Sequence, residues 1–198
     1  MPVMGLERRP ARIIFLNGAS SSGKTTLGRA LQKTAPFPLL YFSSDQLVDA
    51  QVLPAIERQH DAGPWAWKTI RPRFFDGFHR CIAALADAGN DLVVEHVVEF
   101  PEWLEDCVSL LAGHDVFYVG VHCGMAELER REIARGDRIP GEGRSHLEDG
   151  IHAWSAYDFE IDTSAHDTAT CVRLVLEAFA ARQKPGVFDS RYSDPIEN

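Results

Sequence analysis

The stretch Gly18-Ala-Ser-Ser-Ser-Gly23-Lys24-Thr25 fits the spacing G-x-x-x-x-G-K-[ST], and each residue type in it has a task if the ligand is a polyphosphate. Gly18 and Gly23 let the backbone bend, so that successive N–H groups of Ala19, Ser20, Ser21 and Ser22 point inward. A helix opening at Lys24 adds the positive end of its dipole. The Lys24 ammonium would then reach the β- and γ-phosphates, and the Thr25 hydroxyl would sit on Mg²⁺, with Thr26 closing the site. The alternative reading is a Gly/Ser turn with no ligand. The guanine-reading N-K-x-D does not occur, because the only asparagines are Asn17, Asn90 and Asn198, and there is no D-x-x-G. ATP is therefore expected over GTP, and a kinase over a switch.

Three other groups could complete such chemistry. Asp45 follows an apolar run, where a carboxylate can take the proton of an acceptor hydroxyl; it could equally cap the helix that follows, unless Ser44 does so. Glu95 ends the run Leu92-Val93-Val94 and could hold Mg²⁺, or could be a strand-end residue paired with His96, which alternation sends to the other face. Arg131, Arg135 and Arg138 are spaced i, i+4, i+7. Forked donors there would stabilise the charge of a transferring phosphoryl group. The bland alternative is a solvated helix whose arginines pair with Glu127 and Glu132. His60, Trp65 and Trp67 could line an acceptor pocket or simply pack.

Positioning these groups requires a scaffold, and the hydrophobic pattern supplies one. Strands are expected over residues 12–17, 39–43, 92–98, 116–122 and 159–162. Helices are expected over 24–33, 73–88, 101–111, 127–135, 145–154 and 168–182. That alternation indicates an α/β fold: a five-stranded parallel sheet flanked by crossover helices. Residues 1–182 read as one domain. Within it, 51–71 forms an acceptor-side insertion and the Gly-rich stretch 136–144 a mobile lid loop. Residues 183–198 read as a loosely ordered polar tail.

Composition sets the bounds. The 198 residues are 45% hydrophobic and 25% charged, enough apolar content for a real core. Lys and Arg number 20 against 29 acidic residues, a net charge of -9, which argues against a general nucleic-acid binder. No apolar run approaches the length of a membrane span and none resembles a signal segment, so the expected address is the cytoplasm. Cys81, Cys107, Cys123 and Cys171 lack metal-site spacing and read as reduced, mostly buried thiols.

Taken together, these positions resemble the chloramphenicol phosphotransferase family of P-loop small-molecule kinases over roughly residues 12 to 165. The likeness lies in Ile13-Ile-Phe-Leu-Asn-Gly-Ala-Ser-Ser-Ser-Gly-Lys-Thr, Phe42-Ser-Ser-Asp45-Gln-Leu, Val119-Gly-Val-His-Cys123, Glu132-Ile-Ala-Arg135-Gly-Asp-Arg138 and Tyr157-Asp-Phe-Glu-Ile-Asp162-Thr163. The resemblance implies a P-loop NTPase fold of nucleotide-kinase type and transfer of the ATP γ-phosphoryl group to a primary hydroxyl of a small molecule, with Mg²⁺. It implies Asp45 as general base, Arg135 and Arg138 as lid arginines, and Asp162 and Thr163 near the adenine. Where the family pattern has an acidic pair after the third strand, this sequence has Glu95-His96. The rival functions are a nucleoside or nucleotide kinase, in which Arg58, Arg71, Arg73 or Arg80 would grip an acceptor phosphate, and a nucleotide-binding module without turnover.

Overall fold

A computed structural model describes residues 9–54, 66–135, 141–154 and 156–193, without side-chain detail for the last two. In chain order the elements are β1 (Arg12–Asn17), α1 (Lys24–Thr34), β2 (Leu40–Ser43), α2 (Ser44–Asp49), α3 (Trp67–Asp87), β3 (Leu92–His96), α4 (Pro101–Leu110), β4 (Asp115–His122), α5 (Met125–Arg135), α6 (Glu142–Glu148), β5 (Phe159–Asp162), α7 (Thr168–Ala181) and α8 (Val187–Ser193). The strands form one parallel sheet in the order β2-β3-β1-β4-β5. The P-loop strand β1 is therefore central. The chain crosses from β3 over β1 to β4, and ligands collect at the carboxyl edge beside such a reversal.

Both faces of the sheet are covered, which explains why its strands read as continuous apolar runs. Ile13, Phe15, Leu92, Val94 and Tyr118 meet Phe75, Phe78, Ile82, Leu104 and Phe188 on one side. Ile14, Leu16, Val93, Phe117 and Val119 meet Leu27, Leu31, Val172, Val175 and Phe179 on the other. Among the described residues no helix is long and apolar enough to cross a membrane. Cys107, Cys123 and Cys171 are buried and Cys81 is exposed, all as free thiols.

Several boundaries differ from the sequence reading, each for a physical reason. Helix α3 begins at Trp67, inside the expected insertion, and runs through Pro72. Trp67, Phe74 and Phe75 pack on one another there, with ring centroids 5.2–6.4 Å apart, so tertiary packing outweighs the cost of the proline. Trp67 is thus a packing residue, while His60, Trp65 and Arg58 lie outside the described residues. Strand β3 stops at His96 because the Val98 amide leaves the ladder and donates to the Asn17 side-chain carbonyl, 2.9 Å away. The expected helix over 145–154 is instead α6, which starts three residues earlier and stops at Glu148. Gly150 (φ 77°) follows, its amide bonding to Leu147 and that of Ile151 to His146, the paired bonds that close a helix. The last three residues of the expected lid loop are therefore helical, and residues 136–140 lie outside the described residues. The loosely ordered tail is replaced over Val187–Ser193 by α8, because Phe188 is buried against Phe15 and Tyr118.

His79 and His96 are buried together between α3 and β3 with Nε2 atoms 2.9 Å apart. One ring must donate to the other, so the accepting ring is neutral, and burial favours the neutral form of both. Burial holds His79 down at about 4 and His96 well below the ordinary range. An unfolded histidine binds its proton near pH 6.5, so the unfolded state takes up protons first as pH falls. Stability is therefore intact above about pH 6.5 and lost progressively down to about pH 4. His79 alone is expected to remove about 2 kcal/mol by about pH 5. Urea unfolding midpoints that are equal at about pH 7.5 and pH 5 would contradict this.

Candidate phosphotransfer site

In the sheet register, Ser43, Glu95, Leu16, Val119 and Phe159 form one row across all five strands. Gly18 and Asp45 each lie two residues beyond it. The fold thus brings the glycine-rich loop, Glu95 and Asp45 to a single carboxyl edge, as the sequence reading requires.

The loop is shaped as a cradle. Ser21 and Gly23 take positive φ values of 62° and 93°, and the Ser22 amide turns back to the Ala19 carbonyl at 3.2 Å. Gly23 is required twice over. Besides its φ, a Cβ there would come within 3.1 Å of the Arg131 guanidinium and 3.3 Å of the Thr163 hydroxyl. The hydroxyls of Ser21 and Ser22 are buried without a hydrogen-bond partner among the described residues. Buried donors of that kind normally find an acceptor, and phosphate oxygens would satisfy them.

Lys24 heads the buried stripe of α1, with Leu27, Gly28 and Leu31 below it. Its side chain is 4% exposed and the ammonium donates to the Ala19 carbonyl at 2.7 Å, arching back over the loop. Thr25 and Thr26 are exposed at the helix start. The Thr25 hydroxyl donates to Glu95 Oε1 at 2.9 Å, and the other Glu95 oxygen accepts from Tyr41. Burial, with Glu95 adding to it, pushes the Tyr41 hydroxyl up, so it remains a donor. Glu95 is 8% exposed, so the alternative of a strand-end residue paired with His96 does not describe it. His96 does face the opposite side, stacked on Trp103.

Asp45 is neither free of helix structure nor its cap. Ser43 is the N-cap of α2: its hydroxyl accepts from the Gln46 amide at 3.3 Å, and the Gln46 side chain accepts from the Ser43 amide at 3.0 Å. Asp45 occupies the first turn, half-buried, so its carboxylate is not consumed in capping.

On the far side of the loop Arg131 makes the Glu127 pair of the plainer sequence reading and adds contacts that neither reading anticipated. It pairs with Glu127 at 2.8 Å, and it also donates to Thr163 Oγ1 and to the Thr163 carbonyl, each at 2.9 Å. Thr163 in turn donates to the Ser22 carbonyl at 2.5 Å. Arg131 thus braces the loop from behind and does not head a swinging arm. Thr26, Arg131 and Thr163, with Gly23, His166 and Cys171, line a cleft of about 300 Å³ between α1, α5 and the turn after β5. Asp162 caps that turn, accepting the Ser164 amide at 2.7 Å. Arg135 closes α5, exposed, and Arg138 lies outside the described residues. Glu132 does not pair with an arginine of its helix. It is 6% exposed, and the amides of Gly143 and Gly141 at 3.0 and 2.7 Å hold its carboxyl below the ordinary range. Sequence reading missed Tyr41, Glu142 and His146, which reach the site only through tertiary contacts.

Oxygen donors from a hydroxyl and a carboxylate, side by side at a cradle of this shape, suit a hard cation such as Mg²⁺ beside a polyphosphate. Comparison with known proteins agrees with the architecture. The Mycobacterium tuberculosis APS kinase in complex with AMPPNP and APS shares the fold with a TM-score of 0.62 at 16% identity, over 87% of this chain and 99% of its own. Shikimate kinase from Acinetobacter baumannii in complex with shikimate gives 0.60 at 16% identity, over 86% and 94%. A protein of M. tuberculosis strain H37Rv, named "Putative O-phosphotransferase", is 33% identical over 195 residues, spanning 90% of this chain and 86% of its own. The family model for chloramphenicol phosphotransferase-like proteins matches residues 11–180, from the central strand through the cradle, Asp45 and the arginines of α5 to the closing helix. By that match, the chain belongs to the chloramphenicol phosphotransferase-like family.

Proposed function

We propose that this protein transfers the γ-phosphoryl group of ATP to a hydroxyl of a small molecule, chloramphenicol or a related antibiotic being the first acceptors to test. The observation that carries the reading is the Thr25–Glu95 contact of 2.9 Å beside the buried Lys24, on the sheet edge that also bears Asp45. Gly18–Thr26 would bind the phosphates through the loop amides other than those of Ser20 and Ser22, which donate to His146 and Ala19, and through the Ser21 and Ser22 hydroxyls. Thr25 and Glu95 would hold Mg²⁺, which when bound neutralises charge on the phosphate oxygens. Lys24 stabilises the same charge. Asp45 accepts the proton of the acceptor hydroxyl as that oxygen bonds to the terminal phosphorus and the bond to ADP breaks. Arg135 and Arg138 offset charge on the transferring group, and the cleft at Arg131 and Thr163 receives the adenosine end. The APS kinase of the same fold was solved with AMPPNP and APS, which supports a nucleotide as one ligand.

Two acceptor-side arginines weigh against a nucleotide monophosphate as acceptor. Arg71 is ion-paired with Glu99 and lies over the Trp103 ring at 5.0 Å, and Arg80 pairs with Asp76 at 3.1 Å. The test combines calorimetry of Mg·ATP binding with an acceptor screen of hydroxylated antibiotics and nucleosides, read by ADP release and product mass. Acceptor-dependent release with a non-nucleoside is expected. Nucleosides as sole acceptors, or binding without any release, would replace this reading with one of its rivals.

A further inference from the structure

The phosphate loop is held at two shoulders, and only one of them, the Thr163–Arg131 brace at Ser22, belongs to the cleft described above. The other is Ser20. Its amide donates to His146 Nδ1 at 3.1 Å, and its hydroxyl donates to Glu142 Oε2 at 3.0 Å. Glu142 and His146 are i, i+4 on α6 and so share a face. That helix is seated for the purpose. Its first amides are fixed by Glu132, Leu147 packs on Ala19, Cys123 and Leu128, and Gly143 lies so close to the loop that a Cβ would meet the Ser20 carbonyl at 2.8 Å.

We propose that His146, with Glu142, is a positioning residue for the phosphate cradle: from α6 it sets the conformation of Ser20, so that the seating of α6 and the affinity of the loop for a nucleotide are one linked equilibrium. The inference deepens the phosphotransfer reading and rests on it for the ligand. The chemistry demands a neutral imidazole, because Nδ1 accepts an N–H and the ring proton must then be on Nε2. A protonated ring would present a donor to a donor. Among the described residues, Glu99 before α4, Glu142 on α6 and Glu132 on α5 favour protonation, while Lys24 on α1 and Arg71 on α3 oppose it, and burial, the largest effect, opposes it too. The ring is therefore neutral at neutral pH and the contact weakens on acidification.

The test uses the full chain with His146→Ala and His146→Asn, since an Asn side-chain carbonyl can take the place of Nδ1 and does not titrate. Hydrogen exchange of the 18–26 peptide in the free protein should speed up in the Ala variant and return towards wild type in the Asn variant. Mg·ATP affinity by calorimetry should fall about tenfold in the Ala variant, the loss of one well-placed hydrogen bond, and stay within about threefold in the Asn variant. On acidification from about pH 8 the wild type should weaken more than the Asn variant, a ratio from which the titration of the nucleotide cancels. Wild-type exchange in the Ala variant, or an Asn variant as impaired as Ala, would overturn the proposal. If the wild type binds no Mg·ATP, the phosphotransfer reading fails, and the exchange data still decide whether α6 holds Ser20.

Discussion

Asp45→Asn should lower kcat by about 10²–10⁴-fold, the usual contribution of a positioned general base, while Mg·ATP affinity stays within about twofold of wild type. The separation follows from where Asp45 sits. It lies beyond the row of Ser43 and Glu95, on a different element from every group proposed to hold the nucleotide. Asn preserves the shape of the side chain but cannot take a proton. Helix α2 should survive the change, because its cap is made by Ser43 and Gln46. The loss of a first-turn acid costs about 0.3–1 kcal/mol through the helix dipole. Stopped ADP release with unchanged calorimetry is the expected pattern. Near-wild-type turnover would remove Asp45 from the mechanism, and loss of nucleotide binding would move it to the cradle.

The sequence was most legible where one local rule decides. Strands Arg12–Asn17 and Phe159–Asp162 were read to the residue, the first as a buried apolar run closed by a polar turn and the second as an edge strand that alternates apolar and acidic residues. The G-x-x-x-x-G-K-T spacing located the cradle, and the end of the third apolar run located Glu95, because a single element carries each signal. Helix α3 was read short, since a proline ends a pattern on paper while three aromatic rings hold it together in space. The tail was misjudged on composition, although one buried Phe188 is enough to dock α8: burying such a side chain contributes about 1.5–3 kcal/mol.

The second layer of the site was not legible at all. Tyr41 reaches Glu95 only because β2 pairs with β3 in the register Ser43↔Glu95, and no local pattern reports a register between strands separated by a long connection. Glu132, in the Glu132-Ile-Ala-Arg135 stretch, looked like an ion-pair partner on an exposed helix. Its partners are backbone amides nine and eleven residues on, visible only once α6 is placed. His146 is similar: its sequence neighbours say nothing of Ser20, 126 residues away. What the sequence hides is the set of groups that hold the reacting ones in place.

Lys24→Ala is expected to weaken Mg·ATP binding at least tenfold and to cut turnover by about 10²–10³-fold, the loss typical when a preorganised donor to developing charge is removed. Its effect on stability distinguishes a functional from a structural lysine. Lys24 occupies the leading position of the buried stripe of α1, where Leu27, Gly28 and Leu31 follow, and an ammonium there is costly to desolvate. The hydrogen bond to the Ala19 carbonyl offsets part of that cost. Alanine, the best helix former, removes the cost and keeps the helix. The thermal midpoint of the variant should therefore stay level or rise while binding collapses, as expected of a residue kept for its ligand at the expense of the fold. A lower midpoint with unchanged nucleotide affinity would make Lys24 a brace for the loop and would take with it the charge that the proposed phosphotransfer needs at the terminal phosphates.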